Sequence, residues 1–220
     1  MIKFLSYAIN ENTPTYGNKD KFNISKTTCI SEGAVANNSF ISTTTHIGTH
    51  IDMPYHFYEN GQSICDFDDS FWIFKNVVIV CINPLSLVIE KELMHSLENF
   101  DSDCDFLIVK TGSCLFRDDS KYTEVNYGFS PNLYDFLLSK MPNLKVFGFD
   151  TISVSSFKHR EIGRDAHRRF LNPDRPILLL EDMDLNSVDE NTKFSQVVIA
   201  PLRIQNCDGL PCSVIGFIDD

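Results

Sequence analysis

Several patterns that would assign a protein to a class at once are missing from this 220-residue chain. No apolar stretch approaches the ~20 residues that a membrane-spanning helix needs, and the chain has no repeat or low-complexity tract. None of the seven cysteines has the C-x-x-C spacing of redox and zinc motifs. The G-x-S-x-G motif is missing as well. The sequence therefore gives no support to a membrane-spanning, repeat or serine-hydrolase protein.

Positive charge is also scarce, because 19 Lys and Arg stand against 30 Asp and Glu and the net charge is 19 − 30 = −11. A polyanion would be repelled by that field, so we expect no nucleic-acid partner. The first residues lack the long apolar segment of a signal peptide. The odd number of cysteines fits buried free thiols better than a disulfide framework. We expect a cytoplasmic protein that does not associate with membranes.

The chain does have enough length and apolar content, 43%, to build one packed core. Continuous apolar runs predict strands buried on both faces, over residues 77–82, 106–110, 144–149, 177–180, 197–199 and 214–218. Shorter strands are predicted in the first quarter, the first of them over residues 4–8. Helical spacing predicts helices over residues 91–100, 130–141 and 164–171. The pattern predicts a single mixed α/β (α+β) domain over residues 1–220, with no linker.

The segment that carries chemistry is residues 45–56, which holds three of the six histidines and an aspartate: His46, His50, Asp52 and His56. Imidazole and carboxylate are usual ligands of zinc and manganese. In an extended strand His46 and His50 would lie about 13 Å apart, which is awkward for one ion, and Pro54 opposes a helix. We therefore expect a bend at Gly48 and a metal site. The alternative is a set of polar surface residues.

This segment supplies at most four ligands, and fewer if one residue performs acid–base chemistry. Further ligands must then come from elsewhere in the chain, where the remaining histidines are His95, His159 and His167. On residue type alone, His167 next to two arginines would be a helix surface residue. Glu181, in an acidic stretch, would be an exposed strand end.

The order His46-x-Gly48-Thr49-His50-x-Asp52-x-Pro54-x-His56 resembles the signature of the metal-dependent cyclase family. That family includes bacterial kynurenine formamidases (arylformamidases) and isatin hydrolases. The resemblance continues through residues 107–112, 148–153, 165–167, 178–181 and 201–211. It implies the family's swivelling β/β/α fold, in which helices pack outside a β-barrel-like core.

Carried over position by position, the resemblance implies a centre of two divalent ions, with zinc the first choice and manganese the second. His46, His50 and Asp52 would bind one ion and His167 the other, while Asp52 and Glu181 would bridge both. His56 would be the general acid and base. Tyr16 stands where relatives carry an aromatic residue that contacts the substrate, although the second proline of their loop is missing here.

The expected function is therefore a metal-dependent amidohydrolase that acts on a C–N bond of a small molecule. An arylformamidase with a substrate such as N-formylkynurenine is the first choice. Opening of a cyclic amide or lactone, as in isatin hydrolases, is the alternative. A non-catalytic metal-binding protein is a further alternative, but it would not need His56. The resemblance also implies a homodimer whose partner chain borders the pocket.

Overall fold

The structure of the protein is a computed structural model that describes residues 1–100 and 102–219. The strands in these residues are β1 (Ile2–Phe4), β2 (Asn23–Thr28), β3 (Asn38–Ser42), β4 (His50–Asp52), β5 (Ile73–Phe74), β6 (Val77–Cys81), β7 (Val88–Ile89), β8 (Phe106–Lys110), β9 (Gly128–Phe129), β10 (Val146–Phe149), β11 (Leu178–Glu181), β12 (Phe194–Pro201) and β13 (Gly209–Ile218). The α-helices are α1 (Lys91–Ser96), α2 (Lys121–Glu124), α3 (Leu133–Lys140) and α4 (Arg160–Phe170). None of these helices has the length and apolar character that crossing a membrane requires.

One sheet dominates the fold, with the strand order β5-β12-β13-β4-β11-β10-β8-β6 and β1 beside β13. Strands β6, β8, β10 and β11 run parallel, and the remaining pairings are antiparallel. The two ends of this order, β5 and β6, are consecutive in the chain, since β5 ends at Phe74 and β6 begins at Val77. Three residue steps span at most about 10 Å. The sheet therefore curls until its ends are close, which produces the nearly closed, barrel-like core that was predicted.

The core lies on both sides of the parallel strands. Every residue of β10 and β11 is buried, as are the first four of β8, so the continuous apolar runs of the sequence do correspond to strands covered on both faces. Helices α3 and α4 cover one side. The Phe170 ring of α4 stacks on Phe147 of β10 at 5.4 Å and meets the Tyr134 ring of α3 at 5.8 Å. Each such aromatic contributes about 1.5–3 kcal/mol by burial.

Several element boundaries differ from the sequence prediction. The first strand is Ile2–Phe4 rather than residues 4–8, because it pairs with Ile215–Phe217 of the long strand β13. Helix α1 ends four residues early, at Ser96, and α4 begins four residues early, at Arg160. These limits are set by pairing and packing between distant residues, which local periodicity does not report.

All seven cysteines are free thiols, as expected, but they are not all buried. Cys29, Cys104 and Cys114 are buried, whereas Cys81 is exposed although it lies in an apolar run. Cys81 ends β6, the last strand of the sheet order, so it has no neighbouring strand on one side among the described residues.

Strands β2 and β3 form a separate hairpin in which every strand residue is exposed. Ile24 and Ile41 face each other across this hairpin, and Phe40 is also exposed. A third, two-stranded sheet joins β7 and β9.

Candidate metal centre

The histidine-rich segment bends at Gly48, as the sequence predicts. Gly48 has φ +59°, a left-handed conformation that favours glycine. The chain enters β4 two residues later, at His50. The bend turns His46 back toward β4, so the His46 and His50 rings are 5.2 Å apart rather than the distance of an extended strand. It thereby removes the geometric objection to a shared metal site.

Strand β4 lies between β11 and β13, and this position gathers the remaining groups. The β4–β11 register sets His50 opposite Glu181. The β4–β13 register sets Asp52 opposite Gly209. A Cβ atom on Gly209 would lie 2.7 Å from Cε1 of His46, so a glycine is needed there for the His46 ring to occupy its place.

The five residues predicted as metal ligands converge around the Asp52 carboxylate. Asp52 Oδ1 lies 2.8 Å from His46 Nδ1 and 3.4 Å from His50 Nε2. His167 Nε2 approaches the other oxygen, Oδ2, at 3.4 Å. Glu181 lies beside this group, with Oε2 3.3 Å from His50 Nε2 and Oε1 3.8 Å from His167 Nε2. All but His46 are buried, which is unusual for charged groups unless they are paired or bind a cation.

Backbone groups orient three of these side chains. The Nδ1–H of His50 donates to the Gly48 carbonyl at 2.9 Å, and that of His167 donates to the Gly163 carbonyl at 2.8 Å. A carbonyl can only accept, so Nδ1 carries a proton, and Nε2 is the ring nitrogen that faces the cluster and would bind a metal ion. The backbone N–H of Val154 donates to Glu181 Oε1 at 2.7 Å. This support by outer contacts is typical of metal sites.

Electrostatics in the cluster couple the imidazoles to the acids. Burial alone would lower the pKa of His46, but Asp52 and Asp208 raise it to about 9. Burial would raise the pKa of Asp52, yet the surrounding imidazoles hold it well below its usual value. The arrangement keeps the Asp52 carboxylate anionic, which is the state that a metal ion needs.

The residues present fit divalent metal ions. Asp52 Oδ2 is buried and accepts no hydrogen bond from any described residue, and such an oxygen is costly unless a cation satisfies it. Nitrogen and oxygen donors suit zinc and manganese. In two groups one donor atom of each residue lies within 4.8 Å of the others: His46, Asp52 and His56 in one, and His50, Asp52 and Glu181 in the other. Asp52 belongs to both groups.

His56 lies at the edge of this cluster, in a short turn over residues Pro54–His56. Its ring centroid is 4.2 Å from that of His46 and 5.7 Å from that of His167. Its Nδ1 is 3.1 Å from Oδ2 of Asp208. The other histidines outside the motif, His95 and His159, are exposed and lie outside the cluster.

Asp208 was not identified from the sequence. Its Oδ2 lies 2.8 Å from His46 Nε2 as well as next to His56, and its Oδ1 accepts from Thr45 Oγ1 at 2.9 Å. Hydrogen bonds from His46 and His56 hold the pKa of Asp208 well below its usual range. In the sequence Asp208 is marked only by its place directly before Gly209, and a single acidic residue in a loop does not predict a metal site.

The cluster lines a cavity of about 250 Å³, whose other walls include Tyr16, Ile152 and Ser155. The Tyr16 ring packs edge-on against Phe157 at 5.3 Å. The Tyr16 hydroxyl is buried and has no hydrogen-bond partner among the described residues. The structure thus brings Tyr16 to the same cavity as the five predicted ligands and His56. A larger open cleft of about 770 Å³ contains none of these histidines.

The family model Cyclase, described as "Putative cyclase", matches residues 4–156. The chain belongs to the cyclase family. It is 24% identical over 212 residues to the kynurenine formamidase of Bacillus cereus (strain ATCC 10987 / NRS 248), covering 96% of this chain and 94% of that protein. It is 25% identical over 209 residues to the kynurenine formamidase of Geobacillus thermodenitrificans (strain NG80-2), covering 94% and 92%.

Solved structures agree on the fold. Isatin hydrolase A from Labrenzia aggregata superposes with a TM-score of 0.76 at 18% identity, covering 98% of this chain and 93% of that one. A structure described as a potential metal-dependent hydrolase with cyclase activity superposes with a TM-score of 0.74 at 20% identity, covering 100% of this chain and 98% of that one. These superpositions confirm the predicted fold class, and the family model confirms the predicted family. The kynurenine formamidase relatives, together with the His, Asp and Glu cluster, support a metal-dependent hydrolase.

Proposed function

We propose that this hydrolase cleaves the amide-type C–N bond of a small aryl formamide. The observation that carries the proposal is the convergence of His46, His50, Asp52, His167 and Glu181 on one cavity, with His56 at its edge. Kynurenine formamidases match nearly the whole chain, which favours a formamide substrate. Isatin hydrolases match the fold, which makes opening of a cyclic amide the second candidate.

Five residues would hold two divalent ions, zinc in the first place and manganese in the second: His46, His50, Asp52, His167 and Glu181. When bound, such ions polarise a carbonyl and make water a nucleophile at neutral pH. The protein's part is to keep the donors in place. The carbonyls of Gly48 and Gly163 fix two imidazole rings, and the Val154 amide fixes Glu181.

His56 would transfer the proton to the leaving nitrogen. Its side chain is 28% exposed, against 5% for His50 and 8% for His167, so it can exchange protons with water while it borders the cavity. General acid–base catalysis by such a group contributes ~10²–10⁴-fold in rate. His50 and His167 are unsuited to this step, because Nε2 of each already faces the carboxylates and would bind a metal ion.

Tyr16 would contact the aryl ring of the substrate. Tyr16 lines the cavity, and its ring forms an edge-on pair with Phe157. Aromatic rings favour such edge-on or offset contacts with a further ring. The small cavity, about 250 Å³, suits a compact substrate.

The decisive experiment combines metal analysis with a substrate panel. The zinc-loaded and manganese-loaded protein would be assayed with N-formylkynurenine, a simple aryl formamide, isatin and small lactones. We expect formamide cleavage that a chelator abolishes and added metal restores. Turnover of isatin without formamide cleavage would replace the first candidate by the second. Bound metal with no turnover of any of them would contradict both.

We also propose that the protein works as a homodimer. An isolated two-stranded hairpin is marginally stable in water, yet all strand residues of β2 and β3 are exposed. A second copy would cover Ile24 and Ile41. Residues 19–42 contain Lys19, Lys21 and Lys26 against Asp20 and Glu32, a net charge of 3 − 2 = +1, whereas the whole chain has a net charge of −11. The hairpin is therefore the part of the surface that the acidic body of another copy would repel least.

A further inference from the structure

Asp208 has a fixed position beside the cluster, although it is far away in sequence. Its backbone carbonyl accepts from the Met53 amide at 2.9 Å, next to the strand that carries Asp52. The following residue, Gly209, lies so close to His46 that a Cβ atom there would clash with its ring. The backbone therefore holds the Asp208 carboxylate against two imidazoles.

The contacts of this carboxylate define which atoms carry protons. An ionised carboxylate can only accept hydrogen bonds, so His56 Nδ1, 3.1 Å from Asp208 Oδ2, must be the N–H of that ring. The opposite tautomer would point a lone pair at the carboxylate. Thr45 Oγ1 donates to the second oxygen at 2.9 Å and keeps the carboxylate from rotating.

The second ring nitrogen of His56 differs from those of the other three histidines. His46, His50 and His167 each have Nε2 within 3.4 Å of a carboxylate oxygen. His56 Nε2 has no such contact within the described part of the chain. It is therefore the atom that remains available to a substrate in the cavity.

We propose that Asp208 is a positioning residue that acts through His56, holding the ring with Nδ1–H toward the carboxylate and Nε2 toward the reacting group. The inference rests on the proposed function, in which His56 delivers a proton to the leaving nitrogen. A carboxylate is better suited to this task than a carbonyl, because hydrogen bonds to a charged acceptor are roughly twice as strong. Removing the carboxylate lets the ring turn and adopt either tautomer.

The first test observes the ring without any turnover. Long-range ¹⁵N–¹H correlation spectra of the zinc-loaded protein distinguish Nδ1–H from Nε2–H histidines. We expect His56 to show Nδ1–H in the wild type and to lose that preference in Asp208→Ala. Asp174→Ala is the control, because it removes the same charge from an exposed turn. An Nε2–H tautomer of His56 in the wild type would overturn the inference, whether or not a substrate is known.

The second test is a double-mutant cycle on kcat with metal content measured in parallel. Asp208→Ala should lower kcat by ~10–100-fold with KM and metal stoichiometry nearly unchanged, and it should cost nothing further in a His56→Ala background. If the double variant shows the product of the two single losses in kcat, Asp208 does not act through His56. Loss of metal in proportion to rate would show that it acts through His46 instead, and either result overturns the inference. If the wild type cleaves no member of the panel, the proposed function fails while the tautomer spectra still decide the role of Asp208.

Discussion

His50 and Glu181 face each other across neighbouring antiparallel strands, with His50 Nε2 3.3 Å from Glu181 Oε2. They are 131 positions apart in the numbering, and only the β4–β11 register makes them neighbours. A one-residue slip of that register would turn one of the two side chains to the opposite face of the sheet. The candidate ligands are thus brought together by strand pairing as well as by the histidine motif.

The first prediction distinguishes ligand from catalyst. His50→Ala should lower metal content and should remove the fall in Tm that a chelator causes in the wild type, because bound metal stabilises only the folded state. His56→Ala should keep its metal and its chelator-sensitive Tm, and lose ~10²–10⁴-fold in kcat. Metal stoichiometry, calorimetry and single-turnover rates would be measured together.

His95→Ala serves as the control. Because His95 is exposed on α1, its replacement should leave metal content and rate unchanged. If His56→Ala loses metal to the same extent as His50→Ala, His56 is a ligand.

The second prediction concerns Gly209→Ala. The added methyl group would meet His46 Cε1 at 2.7 Å and the Ile51 carbonyl oxygen at 3.0 Å. The end of a side chain moves more easily than backbone, so we expect the His46 ring to shift. Metal affinity should fall ~10–100-fold, as when contacts around a metal ligand are disturbed, while Tm of the metal-free protein changes little. Metal titration and calorimetry would check this.

Ser213→Ala, at an exposed position of the same strand, is the control. Equal metal affinity in both variants would contradict the prediction.

The part of the site that the sequence predicts is the part that is local. His46, His50, Asp52 and His56 lie within 11 residues, and the conflict between strand spacing and a shared ion already required the bend at Gly48. That bend is present, with φ +59°. Glu181 and His167 followed from a resemblance to known proteins, because neither carries a local signal of metal binding.

Asp208 shows where local reasoning ends. It contacts His56 across 152 residues through the pairing of β13 with β4. Sequence periodicity identifies that strands exist but not which strands are neighbours. The limits of β1 also depend on a distant strand. We predicted residues 4–8, whereas the strand is Ile2–Phe4 because it pairs with β13.

The third prediction concerns the buried ion pair next to Glu181. Arg117 Nε donates to Asp182 Oδ1 at 2.8 Å, and Asp182 is 1% exposed with φ +53°. Arg117→Leu would leave the buried Asp182 charge with the Tyr122 hydroxyl as a donor but without a cation, which costs about 3–5 kcal/mol. Because 1 kcal/mol shifts Tm by roughly 2–4 °C in a chain of this size, Tm should fall by about 6 °C or more.

Thermal unfolding of Arg203→Leu provides the matched control. Its pair with Asp69 is exposed, at 65% and 93%, and exposed pairs contribute little. We expect a change in Tm of about 2 °C or less for that variant. Comparable losses in the two variants would show that the burial of the Arg117–Asp182 pair has no special effect on stability.

The last prediction concerns assembly through the hairpin of β2 and β3. Ile24 and Ile41 are cross-strand partners on one face, and both are exposed in a hairpin with no buried strand residue. Light scattering should give a mass near twice the 25.1 kDa of one chain. Ile41→Asp places a charge in the proposed interface and should shift this mass toward that of one chain. Ser42→Asp adds the same charge on the opposite face, since side chains alternate along a strand, and should keep the dimer. A wild-type mass of about 25 kDa at micromolar concentration would rule out the dimer. The hairpin also follows the loop that holds Tyr16, so Ile41→Asp tests whether a second copy supports the cavity. Monomerisation with unchanged kcat and KM would show that the site is complete in one chain.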